Sequence, residues 1–344
     1  MINIDGSIGE GGGQVLRTCL SLSLITGQAF HISNIRSGRP RPGLRAQHLS
    51  AVEVAVKIGK ADVDGAELNS TSVSFAPELI QPGRYQCDIG TAGSTSLVLQ
   101  TIFLPLSMGA AASSISISGG THVPWSPSFD FMVQHWLWWL RKIGFDISLK
   151  LELAGFYPQG GGLIHASLRP TNSISPLNLT QRGKLLRIRG MSTVANLDRR
   201  IAERQRNQVL RSLGDKYPLS VIRISELPSR FKGTTICLIC EYENSQSCYF
   251  TLGEPGKPAE QVANEVANNI EYFLSTDAAV DEFLADQILL PLSFATSRSI
   301  FSTAKITRHL ITNCKIIQEF LPIKIQISGD NGSPGMVSID PNPS

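Results

Sequence analysis

No apolar run in this 344-residue sequence reaches the roughly 18 residues that a membrane-spanning helix needs. The start, Met1-Ile2-Asn3-Ile4-Asp5, has no basic region followed by an apolar stretch, so no secretory leader is expected. Charge is nearly balanced: 31 Lys and Arg against 28 Asp and Glu leave a net +3. Bulk electrostatics therefore does not mark a nucleic-acid binder, and any such surface has to be local. Cysteine is sparse, six residues scattered through a long chain. That pattern suits a reduced, cytoplasmic protein better than a disulfide scaffold. Cys237-Leu238-Ile239-Cys240 has metal-ligand spacing, yet it has no second pair. It also lies in an apolar run without the glycine or proline that turns a metal knuckle, so it reads as packing within a strand. Common nucleotide signatures are missing as well. There is no G-x-x-x-x-G-K-[ST] loop. Lys60-Ala61-Asp62-Val63 fails the lysine-adenylylating Lys-x-Asp-Gly pattern at its fourth position. The glycines near the start have the wrong spacing for a dinucleotide fold.

What is present starts with Gly9-Glu10-Gly11-Gly12-Gly13-Gln14-Val15-Leu16-Arg17. Three consecutive glycines leave a backbone that a bulky anion can approach closely. Residues 15–25 then form a good apolar helix. A glycine turn opening a helix points free N–H groups and partial positive charge at its occupant. Glu10 sets a carboxylate beside the turn, where a divalent cation could bridge it to a phosphate. A tight turn that uses glycine only for its φ angles is the plainer reading of the same residues.

With 42% hydrophobic residues the chain can bury a sizeable core, and its length allows two or three domains. Residues 2–4 and 29–35 read as strands. The loop Arg36-Ser37-Gly38-Arg39-Pro40-Arg41-Pro42-Gly43-Leu44-Arg45 carries four arginines, suited to phosphate oxygens or to plain solvation. Residues 47–60 form a helix in which His48 is read as a packing residue. Leu20-Ser21-Leu22-Ser23 is echoed by Leu104-Pro105-Leu106-Ser107 and again by Leu290-Pro291-Leu292-Ser293. Glycine turns open the first two of these helices, which predicts a structural unit used three times. Residues 129–143 form a helix rich in tryptophan, read as packing. Residues 185–275 follow a β-α-β-β-β-α pattern and predict a small inserted domain. Its helix 197–213 holds Arg199, Arg200, Arg204, Arg206 and Arg211, a basic cluster suited to a phosphate backbone or to plain solvation. The end holds a helix over 280–293, a strand over 299–304, a helix over 310–320, a strand over 323–328 and a polar tail with a loose end.

The glycine stretch from Gly9 resembles the N-terminal signature of RNA 3′-terminal phosphate cyclases. Three further stretches are similar to that family in order: Ala154-Gly155-Phe156-Tyr157-Pro158-Gln159-Gly160-Gly161-Gly162-Leu163, Phe283-Leu284-Ala285-Asp286-Gln287, and His309-Leu310-Ile311-Thr312-Asn313. One departure is Ala154, where the family usually has Arg or His. The resemblance implies an α+β fold with a large domain, 1–184 and 276–344, of three repeated sheet-plus-two-helix units, and a smaller α/β domain inserted at 185–275. It implies an ATP-dependent ligase that turns an RNA 3′-terminal phosphate into a 2′,3′-cyclic phosphodiester through a histidyl-AMP intermediate and an RNA-pp-A end. His309 would be the nucleophile. Gln100, Phe283, Leu284, Ala285, Asp286, Gln287, Pro127, Gln14 and Arg17 would bind ATP, with Phe283 stacking on adenine opposite Pro127 and Asp286 on the ribose. Arg39, Arg41 and Gln47 would hold the RNA phosphate, and Glu10 a divalent cation, Mg or Mn. ATP and RNA with a 3′-phosphate are the implied partners; no membrane is, and no oligomeric state is set. Two other readings compete. A cyclase-like ribosome-assembly factor would keep the fold and lack the histidine. A carboxyvinyl transferase would share the repeated units and lack the His309 segment.

Overall fold

A computed structural model describes residues 1–341. The fold is α+β, with four four-stranded sheets among the described residues. The first is built by β1 (Ile2–Asp5), α1 (Gln14–Thr26), β2 (Phe30–Ser33), α2 (Ala46–Gly59), β3 (Asp62–Asp64) and β4 (Val73–Ala76). Its order is β1-β2-β4-β3, one parallel pair followed by two antiparallel ones.

The pattern recurs in β5 (Arg84–Asp88), α3 (Thr95–Ser107), β6 (Ser113–Gly119), a helix, β7 (Ile147–Leu153) and β8 (Gly162–Leu168), ordered β5-β6-β8-β7. The helix runs through α4 (Phe129–Phe131), a π turn (Met132–Trp136) and α5 (Leu137–Lys142). It recurs again in β9 (Asn178–Leu179), α8 (Glu282–Leu292), β14 (Ser299–Thr303), α9 (Arg308–Phe320), β15 (Lys324–Ser328) and β16 (Gly335–Asp340), whose order is β9-β14-β16-β15. Between β9 and α8 come β10 (Leu185–Ala195), α6 (Arg200–Leu213), β11 (Leu219–Glu226), β12 (Gly233–Tyr242), β13 (Gln246–Leu252) and α7 (Ala259–Leu274), which make the fourth sheet, β11-β10-β12-β13. The expected tail therefore contains a strand, β16, because Val337 and Ile339 bury one face of it. The loose end expected after it lies outside the described residues.

The echoed Leu-x-Leu-Ser motifs fall in α1, α3 and α8, the first helix of each repeat. Pro105 and Pro291 sit in the last turn of α3 and α8, where each removes one N–H bond and little helix follows to be disrupted. One apolar core runs through all three repeats. β12 is buried on both faces: Cys237 and Ile239 join that core, whereas Leu238 and Cys240 join a second core with α6 and α7. Period-two alternation thus sends the two cysteines of the C-x-x-C to opposite faces, so they cannot share a metal. All six cysteines are free.

Candidate active site

α9 carries the candidate nucleophile. Thr307 caps its start, the hydroxyl accepting from Leu310 N at 3.0 Å. His309 is therefore the second helical residue, at the positive end of the helix dipole. α9 packs on α1 and α8, which brings three distant stretches together. The Gln14 amide oxygen lies 2.5 Å from His309 Nδ1, and the Gln14 amide nitrogen donates to Asp286 Oδ2 at 3.1 Å. With its amide nitrogen turned to Asp286, Gln14 presents its oxygen to the imidazole, and Nδ1 carries the proton. Nε2 faces Glu10 Oε2 at 3.2 Å, an ion pair when the ring is charged; when Nε2 loses its proton the lone pair is left there. Arg39 reaches the same carboxylate oxygen at 3.4 Å.

The electrostatics follow from burial. His309 keeps 43% of its side chain exposed. Desolvation holds its pKa below the ordinary value; Glu10 pulls it up, while Arg17 and Arg39 push it down. Burial pushes the Asp286 carboxyl up to about 7 against the pull of Arg17 and the Gln14 hydrogen bond. Burial lowers Arg17 to about 10, partly offset by Asp286. Burial, with Arg17 and Arg36 nearby, drives His48 down to about 3. His48 thus stays neutral, and it packs over Gly13 as a spacer.

Two of the three glycines are required by close approach. Gly11, at φ 53°, lies against the backbone of Gly38, and Gly13 lies under the His48 ring, while Gly12 faces the Arg39 guanidinium. The basic loop is thereby laid over the glycine turn. Arg41 is exposed, and its carbonyl accepts from Arg36. Gln47 points elsewhere: its amide oxygen accepts from Ser94 N at 2.7 Å, which ties α2 to the glycine turn that opens α3.

Gln100 and Gln287 meet at 2.7 Å between α3 and α8. Phe283 is half exposed in the first turn of α8, edge-on to Tyr249 at 6.0 Å. Leu284 and Ala285 are core residues, so of that stretch only Phe283, Asp286 and Gln287 offer side chains to the site. Pro127 is half buried just before Ser128, the cap of α4. The π turn sets His135 against Asp281, the cap of α8, at 2.7 Å. Sequence reasoning missed Asn313, which accepts from Thr18 at 2.8 Å and donates to the Asp286 carbonyl at 3.2 Å, tying α1, α8 and α9 together. Its place in the motif beside His309 was the available signal.

Comparison with known proteins comes down on one side. The family model described as "RNA 3'-terminal phosphate cyclase" matches residues 8–327. The chain belongs to the RNA 3′-terminal phosphate cyclase family. A Ralstonia nicotianae protein named RNA 3′-terminal phosphate cyclase is 41% identical over 96% of this chain and 94% of its own. A Methanopyrus kandleri protein of the same name is 36% identical over 99% of both. Among solved structures, an enolpyruvyl transferase from Streptomyces tendae covers 96% of this chain and 80% of its own at 11% identity, with a TM-score of 0.23. That likeness carries no weight for the carboxyvinyl alternative.

Two of the five arginines at α6 are paired with acids. Arg204 pairs with Glu260 of α7 through bonds of 2.6 and 2.8 Å, and Arg199 reaches Glu203 and Glu226. Ala154 is fully buried beside Phe156 and Ala195, leaving no room for the family's usual basic residue. Among the described residues no helix is long and apolar enough to cross a membrane.

Proposed function

We propose that this protein is an enzyme, an ATP-dependent RNA 3′-terminal phosphate cyclase of the cytoplasm, and that 1–184 with 276–344 carries the chemistry while 185–275 is an inserted domain. The observation that supports it best is the Asp286–Gln14–His309 chain, which leaves a basic nitrogen at a glycine turn flanked by Arg39 and Arg17. A non-catalytic assembly factor would have no use for a nitrogen so held.

In the first step His309 Nε2 attacks the α-phosphorus of ATP. An N–P bond forms, the α–β phosphoanhydride bond breaks, and pyrophosphate leaves with the electron pair. Nδ1–H stays on Gln14 and offsets the positive charge that develops on the ring. An RNA 3′-phosphate oxygen then attacks the same phosphorus and breaks the N–P bond, giving RNA-pp-A. Finally the adjacent 2′-oxygen attacks the RNA phosphorus, loses its proton and expels AMP; alignment contributes most of the rate in this intramolecular step. Gln100, Gln287, Phe283 and Pro127 would hold the adenosine, and Arg39, Arg41 and Arg17 the phosphates.

Glu10 is one carboxylate already engaged by Arg39 and His309, and no group of three His, Cys, Asp or Glu side chains gathers among the described residues. That donor set fits a Mg or Mn ion that arrives on ATP and takes Glu10 as its single protein ligand. When bound, the ion would neutralise charge on the departing pyrophosphate. Withdrawing Glu10 to such an ion would also uncover His309 Nε2. His309→Ala should abolish transfer of label from α-labelled ATP to the protein, and the wild-type adduct should be acid-labile and alkali-stable. A mutant that still takes up label at the wild-type level would refute the assignment.

A further inference from the structure

We propose that the β11–β12 connection and the second glycine loop together form a stacking platform for the single-stranded RNA that precedes the reacting 3′ end. This rests on the cyclase reading above and places the RNA contact of 185–275 away from α6. The two segments are joined rigidly. Ala154 N donates to Pro228 O at 2.7 Å, and Ser229 Oγ donates back to Ala154 O at 2.8 Å. Asn196 Nδ2 donates to Ser229 O at 2.7 Å and to Phe231 O at 3.2 Å, closing the connection from its other side.

The joined surface shows two aromatic rings. Tyr157 is 65% exposed and Phe231 37%, and the Phe231 ring lies over Gly161 of the same loop that carries Tyr157. Arg230 and Lys232 flank Phe231, both exposed, and among the described residues neither makes an ion pair or hydrogen bond. Exposed rings interleaved with free cations are the chemistry that holds unpaired bases and their phosphates without reading sequence. A protein partner would be met by no acidic or aliphatic feature here that RNA does not fit better.

The platform is continuous with the catalytic turn. His48 packs on Gly13, its neighbour Gln47 holds Ser94 N and touches Gly93, and Gly160 packs on Ala92 at 2.8 Å from where its Cβ would stand. A strand entering over Tyr157 and Phe231 would thus pass the α3 glycine turn before reaching Gly13 and His309.

The test uses the full chain and two 3′-phosphorylated probes: a single-stranded oligoribonucleotide of roughly 12 nucleotides and a dinucleotide. Phe231→Ala with Tyr157→Ala should weaken the longer probe at least roughly tenfold, since base stacking on aromatic rings is the lost contact. Dinucleotide binding and adduct formation from labelled ATP should stay unchanged. Arg230→Glu with Lys232→Glu, which disturbs no packing, should weaken the longer probe and lower its salt slope by about 1.4. Tyr157→Phe should bind as wild type does. Equal affinity of wild type, the ring variant and the charge variant for the longer probe overturns the platform and leaves the cyclase reading standing. A wild type that binds neither probe overturns both.

Discussion

Replacing Asp286 by Asn should change how stability depends on pH, not merely its level. Burial raises this carboxyl from the ordinary 3.8 to about 7. Below 3.8 the folded and unfolded chains both hold the proton, and the group contributes no difference. From 3.8 up to about 7 the unfolded chain has released its proton while the native chain retains it. The native state then binds more protons, so stability falls as pH rises, and the loss is complete above 7. At roughly 1.4 kcal/mol for each tenfold change in proton affinity, the full cost is up to about 4 kcal/mol. Asp286 keeps an edge at the solvent, which brings the expected figure nearer to about 2 kcal/mol. Asn removes this dependence and still accepts from Gln14. The attraction of Arg17 is already contained in the value of about 7, and Arg17 itself stays protonated up to about 10, so no second titration enters this range. Urea melts of wild type and Asp286→Asn at pH values from about 4 to about 8 should therefore differ by an amount that shifts in favour of the variant by about 2 to 4 kcal/mol. Parallel curves would show that Asp286 is ionised throughout and that burial is not its dominant influence.

Glu10→Gln should lower the pH at which His309 becomes neutral, because Glu10 is the one neighbour that favours the charged ring; an imidazole NMR titration that moves upward would contradict this. The same variant should weaken the metal dependence of adduct formation without melting the protein, as the carboxylate is partly exposed. Ala154→Arg should destabilise the fold by about 3 kcal/mol or more, since it puts an unpaired charge into a sealed apolar pocket; an unchanged thermal midpoint would show that the pocket opens.

The repeats were legible because their first helices share a motif, Leu-x-Leu-Ser, that survives in α1, α3 and α8. β3, β4, β5, β7 and β8 were not, since short strands with one exposed face carry little apolar signal. Glu10, Gln14 and His309 were named through the family resemblance in three separate roles, and the hydrogen bond that joins Gln14 to His309 spans 295 residues and leaves no local trace. The α6 arginines looked free in sequence for a similar reason. Glu260, the partner of Arg204, lies on a helix 56 residues away, and charge pairing across helices has no period to detect. Cys237 and Cys240 were readable as packing because strand alternation alone separates them.

The bond between Gln14 and His309 also has a meaning in time. A chain leaving the ribosome folds its first repeat while the last is still unmade. The glycine turn and Gln14 would then be in place with no imidazole to orient. The nucleophile becomes competent only when α9 docks on α1, after every intervening strand has been synthesised. On the mechanism proposed above, nascent and truncated chains would be barred from splitting ATP, and formation of the adduct would read out that the last repeat has closed onto the first.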